Sequence, residues 1–132
     1  MKKKTPAKLK KILWQLCKEI TRARYKNKDG SWDCYTCDLR IDNPKDAHTA
    51  HFIASSISGA WLRYDLRNLR VCCGVCNVWR SGNFPAYYER MCKEIGRKET
   101  DALMAERHKI VKADVLFFEK KIAEYTALLD SV

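Results

Sequence analysis

Two C-x-x-C pairs, Cys34-Tyr-Thr-Cys37 and Cys73-Gly-Val-Cys76, constrain this chain more than any other feature of its sequence. A tight turn over two intervening residues lets both sulfurs of a pair reach one ion. Two such pairs supply the four thiolates of a closed tetrahedral zinc site. A closed site leaves no position for water, so the expected Zn²⁺ is structural. The seven cysteines cannot all pair as disulfides. Cys72 would replace Cys73 only by stretching the second pair to C-x-x-x-C. It is read with Cys17 and Cys92 as a buried structural thiol. The pairs are separated by 35 residues, against roughly 15–20 in a zinc ribbon, so something is inserted between the knuckles.

The bulk properties suit one small folded unit. The chain has 132 residues, 46% hydrophobic and 32% charged. No run approaches the roughly 18–20 apolar residues of a membrane span. The opening MKKKTPAKLKK carries no apolar secretion segment. The expected location is cytoplasmic (the bacterial host cytoplasm if the chain is phage-encoded), where cysteines serve as metal ligands or core residues.

Charge gives the first functional direction. The formal net charge is +10, and residues 1–28 carry all of it, with 11 Lys or Arg against Glu19 alone. Such a segment favours a polyanion such as nucleic acid. The same charge also serves as a solubilising face.

The periodicity outlines three parts. Residues 1–28 form a basic arm with an amphipathic helix over 7–24, its stripe being Leu9, Ile12, Leu13, Leu16, Cys17 and Ile20. Residues 29–96 form the zinc-bound core, with short strands over 31–73, a short helix at 74–81 and another at 84–95. Asn83 suits an N-cap there and Gly96 a stop, with Phe84, Tyr88, Met91, Cys92 and Ile95 inward. Residues 97–132 hold a long helix over about 99–129. Its residues Met104, His108, Val111, Val115, Phe118, Ile122, Tyr125 and Leu129 step by four and three, the seam of a coiled coil. That seam fits either a homodimer or packing on the parent domain.

The insert carries His48-Thr-Ala-His51-Phe52 and Asp65-Leu-Arg-Asn68-Leu-Arg-Val-Cys-Cys73, and Asn77 follows the second pair at once. This order resembles the HNH, or ββα-metal, nucleases that carry a zinc knuckle pair. Within them it is most similar to the phage NinG/Rap recombination family. Ala50-His51-Phe52, the run from Leu62 to Asn68, Cys73-Gly-Val-Cys76-Asn77 and Ser81-Gly82-Asn83 carry that likeness. The endonuclease VII group of junction resolvases likewise places Asn after its last zinc cysteine. The resemblance covers about residues 31–96 and implies an α+β fold. Its centre is a zinc-stapled, treble-clef-like ββα-metal core between the basic helix and the long C-terminal helix.

The resemblance also implies roles. His51 is the general base toward water. Asn68 holds the His51 loop through its amide, and Asn77 binds a catalytic Mg²⁺ or Mn²⁺ through its carbonyl oxygen. Endonuclease VII-like sites have an Asp ligand where this chain has Ala50. His48 then stands as candidate second ligand, with Asp46, Asp65 and Asn83 as others. More plainly, Asn68 caps a turn and Asn77 serves a helix N-terminus. Arg63, Arg67, Arg70 and Arg80 are expected to contact DNA phosphates, and Trp61, Tyr64 and Trp79 to stack on unpaired bases. The expected function is a metal-dependent endonuclease on branched DNA such as a Holliday junction or D-loop. Alternatives are a non-catalytic zinc module that binds DNA, or a protein-interaction domain built on the long helix.

Overall fold

Capping starts the first helix. In the computed structural model, which describes residues 3–132, the Thr5 hydroxyl accepts the Lys8 N–H at 3.2 Å. Pro6 then supplies the first helical φ of α1 (Pro6–Tyr25). Met1 and Lys2, the start of the expected basic arm, lie outside the described residues. Leu9, Leu13, Cys17 and Ile20 form the buried stripe of α1, while Lys8, Lys10 and Lys11 face outward.

Two antiparallel hairpins follow. β1 (Trp32–Asp33) pairs with β2 (Arg40–Ile41), and β3 (His48–His51) pairs with β4 (Leu69–Cys72). The first cysteine pair lies in the β1–β2 turn, which Asp38 closes at φ +65°. There the Cys34 carbonyl accepts the Asp38 N–H at 2.9 Å. The second pair directly follows β4 and enters a wide helical turn, Val75–Trp79. The Tyr35 N–H bonds the Val71 carbonyl at 2.9 Å, tying the first knuckle to β4.

Helices complete the fold. α2 (Ser55–Arg63) joins the hairpin strands and is broken at Gly59, whose φ of +64° excludes a side chain without strain. α3 (Phe84–Ile95) has the expected bounds and is separated from α4 (Arg97–Ala105) by Gly96. Its inward face differs in part from the expected one: Met91 is fully buried as expected, but so is Tyr87, whereas Phe84 is 42% exposed. Asn83 sits at φ +51° and gives α3 no side-chain cap.

The single helix expected over 99–129 is instead two helices. α4 ends in a tight turn at Glu106–His108, residues 109–113 form no helix or strand, and α5 (Val115–Asp130) starts afresh. Two anchors cause the break. The Glu106 carboxylate accepts from Trp61 Nε1 at 3.0 Å and pairs with Arg67 at 2.9 Å. Asp114 then caps α5 by accepting the Phe117 N–H at 2.9 Å.

The buried side chains form two clusters. One surrounds the cysteines with Trp32, Tyr35, Phe52, Leu62, Tyr87 and Met91. In the other, Phe118 and Tyr125 of α5 meet Leu9, Leu13, Cys17 and Ile20 of α1, with Tyr64 and Leu69. The α5 part of the expected seam, Val115, Phe118, Ile122, Tyr125 and Leu129, therefore packs within the chain against its own first helix, whereas Met104 packs on the cysteine cluster and His108 is exposed, so the continuous seam expected for a dimer is interrupted. Among the described residues no helix is long and apolar enough to cross a membrane.

Phe118 is fully buried, with its ring edge-on to Tyr64 at 5.7 Å. Phe118→Ala should cost about 3–5 kcal/mol of folding stability. Urea unfolding measures this, and a loss near zero would show that α5 does not dock on α1.

Candidate metal centre and histidine cleft

The sulfurs of Cys34, Cys37, Cys73 and Cys76 all lie within 4.8 Å of one another, and Cys37 and Cys73 are 3.7 Å apart. A tetrahedral zinc with Zn–S bonds of about 2.3 Å spaces its sulfurs by about 3.8 Å. The four residues thus fit a structural zinc. N–H donors surround them, as thiolate charge requires. Cys73 Sγ accepts the Cys76 N–H at 3.5 Å. Cys76 Sγ accepts from Arg80 Nη1 at 3.6 Å and from Asn83 Nδ2 at 3.7 Å. Cys72 stands outside the cluster, fully buried on β4. Hydrogen bonding from Cys72, with the Thr36 hydroxyl 3.4 Å from Cys34 Sγ, holds the Cys34 thiol well below the ordinary cysteine range. Cys17 is also fully buried, and Cys92 is half-buried.

His51 ends β3. Its Nε2 lies 3.0 Å from the Arg63 carbonyl, and its ring stacks on Trp14 with centroids 5.1 Å apart and planes 8° apart. A carbonyl only accepts, so Nε2 carries the proton and Nδ1 keeps its lone pair. Burial holds the His51 pKa below the ordinary histidine range, so the ring is neutral at pH 7. Trp14 was not among the expected site residues. Its signal in the sequence is an aromatic ring beside, not on, the apolar stripe of α1.

Asn68 is fully buried in the turn before β4. Its Oδ1 accepts the Ile53 N–H at 2.8 Å, while Nδ2 donates to the Ile53 carbonyl at 3.0 Å and the Leu62 carbonyl at 3.1 Å. These bonds tie the loop after His51 to the end of α2, next to the carbonyl that holds the imidazole.

His48 and Asn77 come together, with Nδ1 and Nδ2 3.2 Å apart. They do not join His51. Residues 48 and 51 point to opposite faces of a strand. His51 opens on two clefts that neither His48 nor Asn77 lines, whereas His48 lines another with Asp42, Asp46 and Gly74. The other expected ligands are also engaged or remote. Asp65 pairs with Arg67 at 2.6 Å, Asn83 bonds the zinc knuckle, and Asp46 lines the His48 cleft; Ala50, the position without a ligand, is buried under α3, where its carbonyl accepts the Tyr87 hydroxyl.

The four arginines divide. Arg63 is exposed and lines a cleft of ≈ 340 Å³ with Lys10, Lys11, Trp14 and His51. Arg80 is exposed. Arg67 is exposed but held by Asp65 and Glu106. Arg70, expected among the phosphate contacts, is corrected to a core residue. It is 4% exposed, with its guanidinium on Glu94 at 3.1 Å and on the Arg67 and Leu69 carbonyls. Of the three expected stacking rings, Tyr64 is buried, Trp61 lies under Lys109, and Trp79 is 83% exposed.

The cysteine assignment has a direct check. Cys73→Ser should lose bound zinc, while Cys72→Ser should keep one zinc per chain, read by metal analysis of the purified proteins. The opposite pattern would exchange the two residues.

Comparison with known proteins follows the same outline. The family model described as bacteriophage lambda NinG protein matches residues 1–132. No curated protein and no solved structure matches the chain significantly. The family match spans every residue, and the chain belongs to the NinG family of bacteriophage proteins.

Proposed function

We propose that this protein is a metal-dependent DNA endonuclease with an HNH-like core, acting on branched intermediates of phage recombination. The observation that carries the reading is His51. It is neutral, stacked on Trp14, fixed by its Nε2–H to Arg63, and set beside Lys10, Lys11 and Arg63. Its free Nδ1 is the lone pair a general base needs. The order of elements supports the reading: β3 with His51, a turn with Asn68, β4, then a helical turn with Asn77.

In this reading Lys10, Lys11 and Arg63 bind phosphates of the strand, without regard to sequence and with affinity that falls steeply in salt. His51 Nδ1 takes a proton from water, the oxygen attacks phosphorus, and the bond to the 3′ oxygen breaks, leaving a 5′-phosphate. A divalent cation such as Mg²⁺ or Mn²⁺ supplies charge to the phosphate and the leaving oxygen in reactions of this class. Asn77 and His48, expected as its ligands, line no cleft that His51 faces, so they do not furnish its seat beside the base. Their mutual hydrogen bond favours the second reading, a zinc-stapled DNA-binding module without activity.

Labelled four-way junction, D-loop and linear duplex, incubated with Mg²⁺, separate the two. Branched DNA should be cut, and His51→Ala should slow cutting by roughly 10²–10⁴-fold. The base must be unprotonated, so the rate falls as pH drops through the His51 pKa. Burial depresses that pKa, which places the fall below the ordinary histidine range. Cutting that survives His51→Ala removes the proposed base, and tight binding with no cutting selects the second reading.

A further inference from the structure

His51 stands on a ridge between two clefts of unlike chemistry. On one side lie Lys10, Lys11 and Arg63. On the other is a cleft of ≈ 350 Å³ lined by Phe52, Ala54, Ile57, Phe84 and Met104, with Arg107 among them. The second cleft lies within the size of small-ligand pockets. Its walls are open apolar surface: Ile57 is 66% exposed and Phe84 42% exposed. Phe84 stacks on Phe52 with planes 6° apart and centroids 5.4 Å apart, so the cleft presents a prepared aromatic stack. The Arg107 guanidinium is fixed there by donating to the Met104 carbonyl at 2.8 Å.

We infer that this apolar cleft receives one unpaired base of the DNA strand whose phosphate lies at His51. The inference rests on the nuclease reading for where that phosphate sits. Charge complementarity then fixes the path. The backbone follows Lys10, Lys11 and Arg63, because phosphates are stable beside cations and costly against apolar walls. The adjoining nucleotide passes over the His51 ridge, where only its base, flat and weakly polar on its faces, matches the aromatic lining. Arg107 can meet the edge of that base or the phosphate beyond it. A base inside intact duplex is stacked and paired, and cannot enter without extrusion. An unpaired base enters freely. The cleft therefore selects for the unpaired positions that branched DNA offers near its branch point, and substrate choice follows from base exposure rather than base sequence.

The test places a fluorescent adenine analogue at successive unpaired positions of a four-way junction, in the absence of added divalent cation so that nothing is cut. Fluorescence should change at one position when the full chain binds. Phe84→Ala should weaken binding of that junction by roughly tenfold and remove the change. Ala54→Trp, which fills the cleft from an exposed rim position, should remove it too. Zinc content and melting temperature confirm that both variants are folded. A change retained in either folded variant overturns the inference. So does tight binding with no change at any position, an outcome that leaves the cleft to an apolar protein segment. Failure of the nuclease reading looks different: a change lost in both variants, with Mg²⁺ still producing no cut, keeps the base site and removes only the catalysis.

Discussion

Four cysteine sulfurs within 4.8 Å of one another, spaced to take one metal ion, lie at the centre of this fold. β1 and β2 span two residues each, and β3 and β4 four each, lengths that form no stable sheet unaided. A metal held by these cysteines would fasten the β1–β2 turn to the chain leaving β4, fixing both ends of the insert at one site. A metal bound there adds its binding free energy to folding, because the unfolded chain has no preformed site. The Tyr35 N–H to Val71 bond and the aromatic cluster under α3 then set the angle of the second hairpin. His51 is at the end of that hairpin, and its place in space follows from the staple.

The cysteine cluster does not by itself orient the imidazole. Three contacts from outside the knuckles do so. Trp14 of α1 covers the ring face, the Arg63 carbonyl at the end of α2 accepts a hydrogen bond from Nε2–H, and Asn68 locks the intervening loop. Trp14 in turn depends on α1 being docked, and α1 is docked by Leu13, Cys17 and Ile20 against Phe118 and Tyr125 of α5. The terminal helices thus act on the histidine through packing. The same docking brings Lys10 and Lys11 of the basic segment to the cleft beside His51. What reads in sequence as a free arm is, in space, one wall of the candidate site.

The parts legible in the sequence were those with fixed local spacing. The cysteine pairs, the α1 stripe, and the bounds of α3 between Asn83 and Gly96 depend only on neighbours along the chain. The misread parts depend on long-range partners. The heptad spacing from Met104 to Leu129 suggested one helix, yet Glu106 is drawn to Trp61 and Arg67, and Asp114 restarts the helix. Arg70 looked like one of four surface cations, but its place on β4 turns it inward to Glu94, between the rings of Tyr25 and Tyr35. His48 and Asn77 were expected beside His51. Strand alternation sends His48 to the other face, where Asn77 meets it. Spacing gives no access to such partners.

One imidazole, held neutral with its proton on a known nitrogen, is central to the proposed chemistry. The chain has three histidines, so heteronuclear NMR of the ring nitrogens can resolve His51 from His48 and His108. Titration of the folded, zinc-loaded protein should show the proton of His51 on Nε2 and protonation of Nδ1 only below the ordinary histidine range. A proton on Nδ1 at neutral pH, or a pKa at or above that range, would contradict the account, because Nδ1 would then carry no lone pair or the ring would not be held neutral by its burial.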